Sequence, residues 1–157
     1  MAKKLLYFRI YLLVWIIVCN LILQFFQVTH GWVIFISNIM LFTLGGDIRK
    51  NFISVELGGL SGLLFAYFSI LLISYITPVL GQIAAVMPPV SLVLFIIIVV
   101  GPFIPDVLNN TSFAYFTCAF ICAETFFCSF VEIIVLYLLG SFLVNGVSIF
   151  LLEKTLY

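Results

Sequence analysis

The chain has 157 residues, of which 66% are hydrophobic and 8% charged, with six Lys and Arg balanced by six Asp and Glu. At a mean hydropathy of +1.40, a soluble domain of this size would lack the polar groups to cover its surface, and a neutral chain gives no electrostatic case for nucleic acid. The composition is that of an integral membrane protein in contact with the lipid bilayer.

A helix needs about 20 apolar residues to cross the hydrocarbon core, and cutting the chain by that length at its Gly, Pro and charged positions predicts six segments. The first runs from Leu5 to Phe26. Lys3-Lys4 before an apolar run is also how a secretory signal starts, but this run is too long and no small-x-small site precedes Val28-Thr29-His30, so a mature helix is expected. The second, from Gln27 or His30 to Leu44, is short and leaves through Gly45-Gly46-Asp47-Ile48-Arg49-Lys50-Asn51. The third spans Phe52 to Tyr75, and on it Gly58, Gly62 and Ala66 form a small-xxx-small ridge suited to close helix packing. After a turn with Pro78 and Gly81, the fourth runs from Ile83 to Val100, with Pro88-Pro89 near its start and Gly101-Pro102 at its end. Pro105 to Asn110 reads as a loop, Thr111 to Ala123 as a short fifth segment, and Cys128 to Leu152 as a sixth. The long apolar runs lack the in-out alternation of barrel strands, which excludes a transmembrane barrel. The expected fold is all-α: one integral membrane domain over residues 1–157, a polytopic bundle of six transmembrane helices.

With the amino terminus in the cytoplasm, Lys3, Lys4, Arg9, Arg49, Lys50 and, after six crossings, Lys154 all lie inside. Five crossings would move Lys154 out, so the positive-inside bias predicts a multi-pass cell-membrane protein with both termini cytoplasmic. Trp32 and Tyr75, near segment ends, read as interfacial anchors.

Polar residues inside helices cost free energy in lipid unless they face protein or water, so their spacing is the main functional signal. Asn20, Gln24 and Gln27 recur at i, i+4 and i+7 on the first helix. Thr111, Tyr115, Cys118, Cys122 and Thr125 follow the helical rule on the fifth, and Tyr137, Ser141, Asn145 and Ser148 on the sixth. Ser37 and Asn38 add polar groups to the second. The candidate polar pathway is therefore Asn20, Gln24, Asn38, Tyr115, Cys118, Tyr137, Ser141 and Asn145. Gln27, His30, Glu124 and Glu132 make a candidate outer mouth, whose carboxylates would repel anions and tolerate cations or neutral solutes. The competing reading of each stripe is interhelical glue. Glu56 is expected to pair with Arg49 or Lys50.

Cys19, Cys118, Cys122 and Cys128 lack disulfide or zinc spacing, and His30 has no second ligand nearby, so no metal is expected. No nucleophile elbow, phosphate loop or metalloprotease helix is present, and neither enzymatic activity nor a cofactor is expected.

The halves 1–77 and 78–157 also look alike. In each, a short helix precedes a long one with an interior glycine, Gly62 or Gly140, and at an offset of roughly eighty residues Phe35 matches Tyr115 and Asn38 matches Cys118. Three helices per half make the pattern a candidate 3+3 inverted repeat, an architecture common among small-solute carriers.

The Gly31-Trp32-x-x-Phe35 start, the Phe42-x-x-Gly45-Gly46 exit, the Gly58/Gly62 third helix and the Ser112-Phe113 to Gly140 arrangement resemble the domain-of-unknown-function family 1097 of small bacterial inner-membrane proteins. The resemblance covers most of the chain. It implies a multispanning bacterial membrane protein and carries over no functional residue.

Two function classes stay open. One is a channel or carrier for a small neutral or cationic polar solute, as a homo-oligomer, because six short helices leave little thickness around a pore. The other is a non-transporting accessory or scaffold protein whose polar stripes and glycine ridge bind partner helices.

Overall fold

The computed structural model describes residues 2–44, 47–123, 126 and 129–156, at positions 2, 3, 5 and 156 the backbone only. The described residues are helical, with no strand among them. Helix α1 is Ala2–Phe25, α2 is Trp32–Thr43 and α3 is Ile48–Leu80. Helix α4 is Gln82–Phe95, continued by a π turn, Ile96–Val100, and a 3-10 turn, Gly101–Phe103. Helix α5 is Asn110–Ile121, and α6 runs through Phe130–Leu136, a π turn at Tyr137–Ser141, and Phe142–Leu156. Four stretches are long and apolar enough to cross a membrane: Leu6–Phe25, Ile48–Leu80, Gln82–Phe103 and Phe130–Thr155. The other two helices have 12 residues each, about 18 Å of helix against a hydrocarbon core of about 30 Å.

Several boundaries follow from local chemistry. Gln27 takes a φ of 54°; its N–H donates to the Gln24 carbonyl at 3.0 Å and that of Val28 to Leu23 at 2.9 Å, which is the Schellman closure of a helix end. Asp47 caps α3 by accepting from the Arg49 N–H at 2.9 Å, and Asn109 caps α5 by accepting from Thr111 and Ser112. Helix α3 continues past Tyr75 and through Pro78, because a proline in a last turn forfeits only one backbone bond. The break falls at Gly81, whose φ of 78° is cheap for glycine.

Side-chain contacts set the helix directions. Phe8 meets Phe42 while Leu23 lies against Gly31, so α2 runs antiparallel to α1. Arg49 meets Glu153 and Tyr67 stacks on Phe130, so α6 is antiparallel to α3. Asn109 contacts Ser54 while Ser112 contacts Ser61, so α5 runs parallel to α3. Ile34 meets Gly140 while Asn38 reaches Ser148, so α2 runs parallel to α6 and antiparallel to α3. Helix α4 leads from the C-terminal end of α3 back to the start of α5 beside Ser54. Successive helices therefore alternate in direction. Helix α3 packs on α4 and α5, and α6 on α1 and α2.

The glycine ridge of α3 faces α5. A Cβ on Gly58 would overlap the Asn109 side chain, one on Gly59 the Tyr137 hydroxyl, and one on Gly62 the Ser112 carbonyl oxygen. Ala66 is fully buried beside them. The core built on this contact joins Val33, Leu63, Phe116, Tyr115 and Tyr137, with the two tyrosine rings edge to face at 5.1 Å.

Candidate functional site

Three elements bring their polar residues to one place. The i, i+4 spacing of α6 puts Tyr137, Ser141, Asn145 and Ser148 on one face, and all four are fully buried. Across from them stand Ser37 and Asn38 of α2, also buried, and the half-buried Glu56 of α3. The π turn Tyr137–Ser141 carries the first two residues of this face, and single π turns of this kind recur at functional sites.

Asn145 is the hub. Its amide NH2 donates to Glu56 Oε1 at 2.8 Å and to Ser37 Oγ at 3.0 Å, while its carbonyl accepts from Asn38 at 3.1 Å. The second N–H of Asn38 reaches Ser148 Oγ at 2.9 Å. Ser141 Oγ lies 2.7 Å from Glu56 Oε2 and also within bonding reach of the Tyr137 carbonyl. The Tyr137 hydroxyl donates to the Glu56 carbonyl at 2.8 Å, and the Tyr115 hydroxyl donates to the Val33 carbonyl. Ser37 and Ser148 spend their own protons on helix carbonyls. Among the described residues no buried side-chain N or O lacks a partner.

Glu56 corrects one expectation. Its carboxylate accepts from Ser141 and Asn145, and Arg49 pairs instead with Glu153, at 2.8 Å on the exposed surface. Arg49 and Glu56 share a face of α3 but stand two turns apart, about 10.5 Å along the axis. Sequence reading missed Glu56 as a member of the cluster. The signal was present, since the chain carries no other charge between Glu56 and Asp106.

The other candidate residues fall elsewhere. Asn20 and Gln24 are exposed on α1 and bonded to each other at 3.2 Å, away from Asn38 and Asn145. Cys118 is half-buried and Cys122 exposed. Gln27 is exposed at the α1 C-cap, His30 is buried just before α2, and Glu132 is exposed in the first turn of α6. Glu124, Thr125, Cys128 and the Gly45-Gly46 exit lie outside the described residues. Trp32 is half-buried against Tyr115, whereas Tyr75 is 83% exposed. Among the described residues no three His, Cys, Asp or Glu side chains gather as a metal-ligand set.

An open groove of about 830 Å³ lies between the C-terminal end of α2, the start of α3, the π turn of α4 and the start of α5, lined by Thr43, Asn51, Ser54, Ile97, Asn109 and others. Asn38, Glu56 and Asn145 do not line it.

No family model matches the chain, and neither a curated protein nor a solved structure matches it. The resemblance to family 1097 therefore rests on aromatic and glycine spacing alone.

Proposed function

We propose that this chain is a non-transporting membrane accessory or scaffold protein whose buried polar cluster locks α2, α3 and α6 into one rigid unit. The observation behind this reading is the closure of the cluster: both N–H groups of Asn38 and both of Asn145 are spent on protein acceptors. A carrier for a polar solute needs free donors and acceptors that can stand in for water around it. The wet path required by the alternative, a channel or carrier for a small neutral or cationic solute, would have to join Asn20 and Gln24 to Asn38 and Asn145, but the first two are exposed and bonded to each other while the last two are buried in the closed cluster.

The proposed topology is six crossings with both termini in the cytoplasm. Alternating helix directions support it, because a chain that leaves α1 and enters α3 running the same way must cross back through α2, and likewise through α5. The same order supports a 3+3 inverted repeat. Each half reads long, short, long, with corresponding helices starting roughly eighty residues apart and pointing in opposite directions. Reporters fused after Tyr157 should be active only as cytoplasmic reporters; activity restricted to the periplasm would overturn the six-crossing topology.

Two measurements made together separate the functional readings. Proteoliposomes holding the parent protein should show no flux across a panel of small neutral and cationic metabolites, while Asn145→Leu lowers the melting temperature. Flux in the parent that vanishes in a stably folded Asn145→Leu would establish the carrier instead.

A further inference from the structure

The outward face of α1 carries an unpartnered seam. Leu6, Ile10, Leu13, Ile17, Asn20 and Gln24 follow one another at spacings of 4, 3, 4, 3 and 4, which is the a/d pattern of a coiled coil sustained for nearly the whole helix. The four aliphatic members are between 46% and 57% exposed, and both amides are exposed as well. The face that packs on the bundle is a different one, carrying Phe8, Leu12, Trp15 and Cys19. These residues lie two positions on from the seam residues, about 160° around the helix, so packing within the chain leaves the seam free.

The two amides say what kind of partner fits. In lipid an exposed amide is costly. The bond from Gln24 Nε2 to Asn20 Oδ1 uses one donor and one acceptor, which leaves the Asn20 NH2 and the Gln24 carbonyl to pair outside the chain. Two copies related by a two-fold axis along the membrane normal run parallel and bring each residue to the same residue at the same depth. An amide is both donor and acceptor and so complements itself under that symmetry, as a single Asn at an a position does when it sets register in a coiled coil. An aliphatic seam with amides at one end thus matches its own copy in both chemistry and depth.

We propose that this protein forms a parallel homodimer through α1, with the Leu6–Ile10–Leu13–Ile17 seam in contact and Asn20 and Gln24 bonded across the interface. This interface does not depend on what the inner cluster does.

Energy transfer between donor- and acceptor-labelled copies of the full chain, reconstituted in phosphatidylcholine vesicles and diluted with lipid, tests it. The parent should show transfer above random mixing. Asn20→Leu with Gln24→Leu should weaken association about tenfold, and Ile17→Trp should weaken it independently. Val18→Ala, on a neighbouring face, should leave it unchanged, and all variants should keep the parent's helical content and, diluted to monomer, its melting temperature. A parent that mixes at random, or a double variant that associates as tightly as the parent, would overturn the proposal. So would loss of association accompanied by loss of fold in both seam variants, since that would place the seam inside the chain's own packing.

Discussion

Gly62→Leu should abolish the folded bundle or lower its stability on the order of 4 kcal/mol, the upper range for forcing volume into a packed core. The reason is what lies opposite. A Cβ at Gly62 would overlap the Ser112 carbonyl oxygen and come within 2.9 Å of Tyr115 Cβ and 3.0 Å of the Phe116 nitrogen. Two of those atoms are backbone, and helix backbone cannot step aside as a long side chain can. The whole of α5 would have to move, and with it the Tyr115 ring in the core and the Asn109 cap against Ser54. Lipid supplies no hydrophobic force to press the helices back together, so close van der Waals contact is the main thing lost. Gly62→Ala should show the same effect at about 1–3 kcal/mol. Gly146, exposed on α6 with nothing within 4 Å of the place a Cβ would occupy, is the control, and Gly146→Leu should melt as the parent does. Unchanged melting of Gly62→Leu in detergent and in vesicles would show that the α3–α5 contact does not hold the bundle.

Glu56→Leu should cost about 2–4 kcal/mol, and Glu56→Gln less than about 1. Leucine removes both acceptors of the carboxylate; the Ser141 proton can turn to the Tyr137 carbonyl, but one N–H of Asn145 is left buried beside a methyl group. Asn145 has no slack to absorb the loss, because its other N–H and its carbonyl are already committed to Ser37 and Asn38. Glutamine keeps the geometry: its carbonyl can accept from Asn145, and its NH2 can donate to Ser141, whose proton then turns to the Tyr137 carbonyl. Thermal melting of the two variants side by side checks this. Equal and large losses would mean that the negative charge of Glu56, rather than hydrogen bonding, holds the cluster; equal and negligible ones would mean that the cluster contributes nothing to the fold.

The class of the protein and its chain of helices are written locally. Hydropathy over about 20 residues, the glycines and prolines at the breaks, and the gathering of Lys and Arg at particular termini and loops are properties of short stretches, and they suffice to read an all-α membrane protein without any long-range contact. Helix caps belong to the same level, as Asp47 and Asn109 show. The direction in which a stripe faces does not. Asn20 and Gln24 on α1 have the same i, i+4 spacing as Ser141 and Asn145 on α6, yet the first pair is exposed and the second fully buried. Spacing within one helix fixes which residues share a face; which face turns inward depends on the helices that pack there. That is decided by contacts such as Ile34 against Gly140 and the Ser112 backbone against Gly62. The site is non-local for the same reason. Asn38 and Asn145 are 107 residues apart in sequence, and Asn145 and Glu56 are 89 apart, so no window of the chain contains the cluster. Only the packing of α2, α3 and α6 turns three separate polar residues into one closed network, because a hydrogen bond acts over about 3 Å and the sequence does not record that distance.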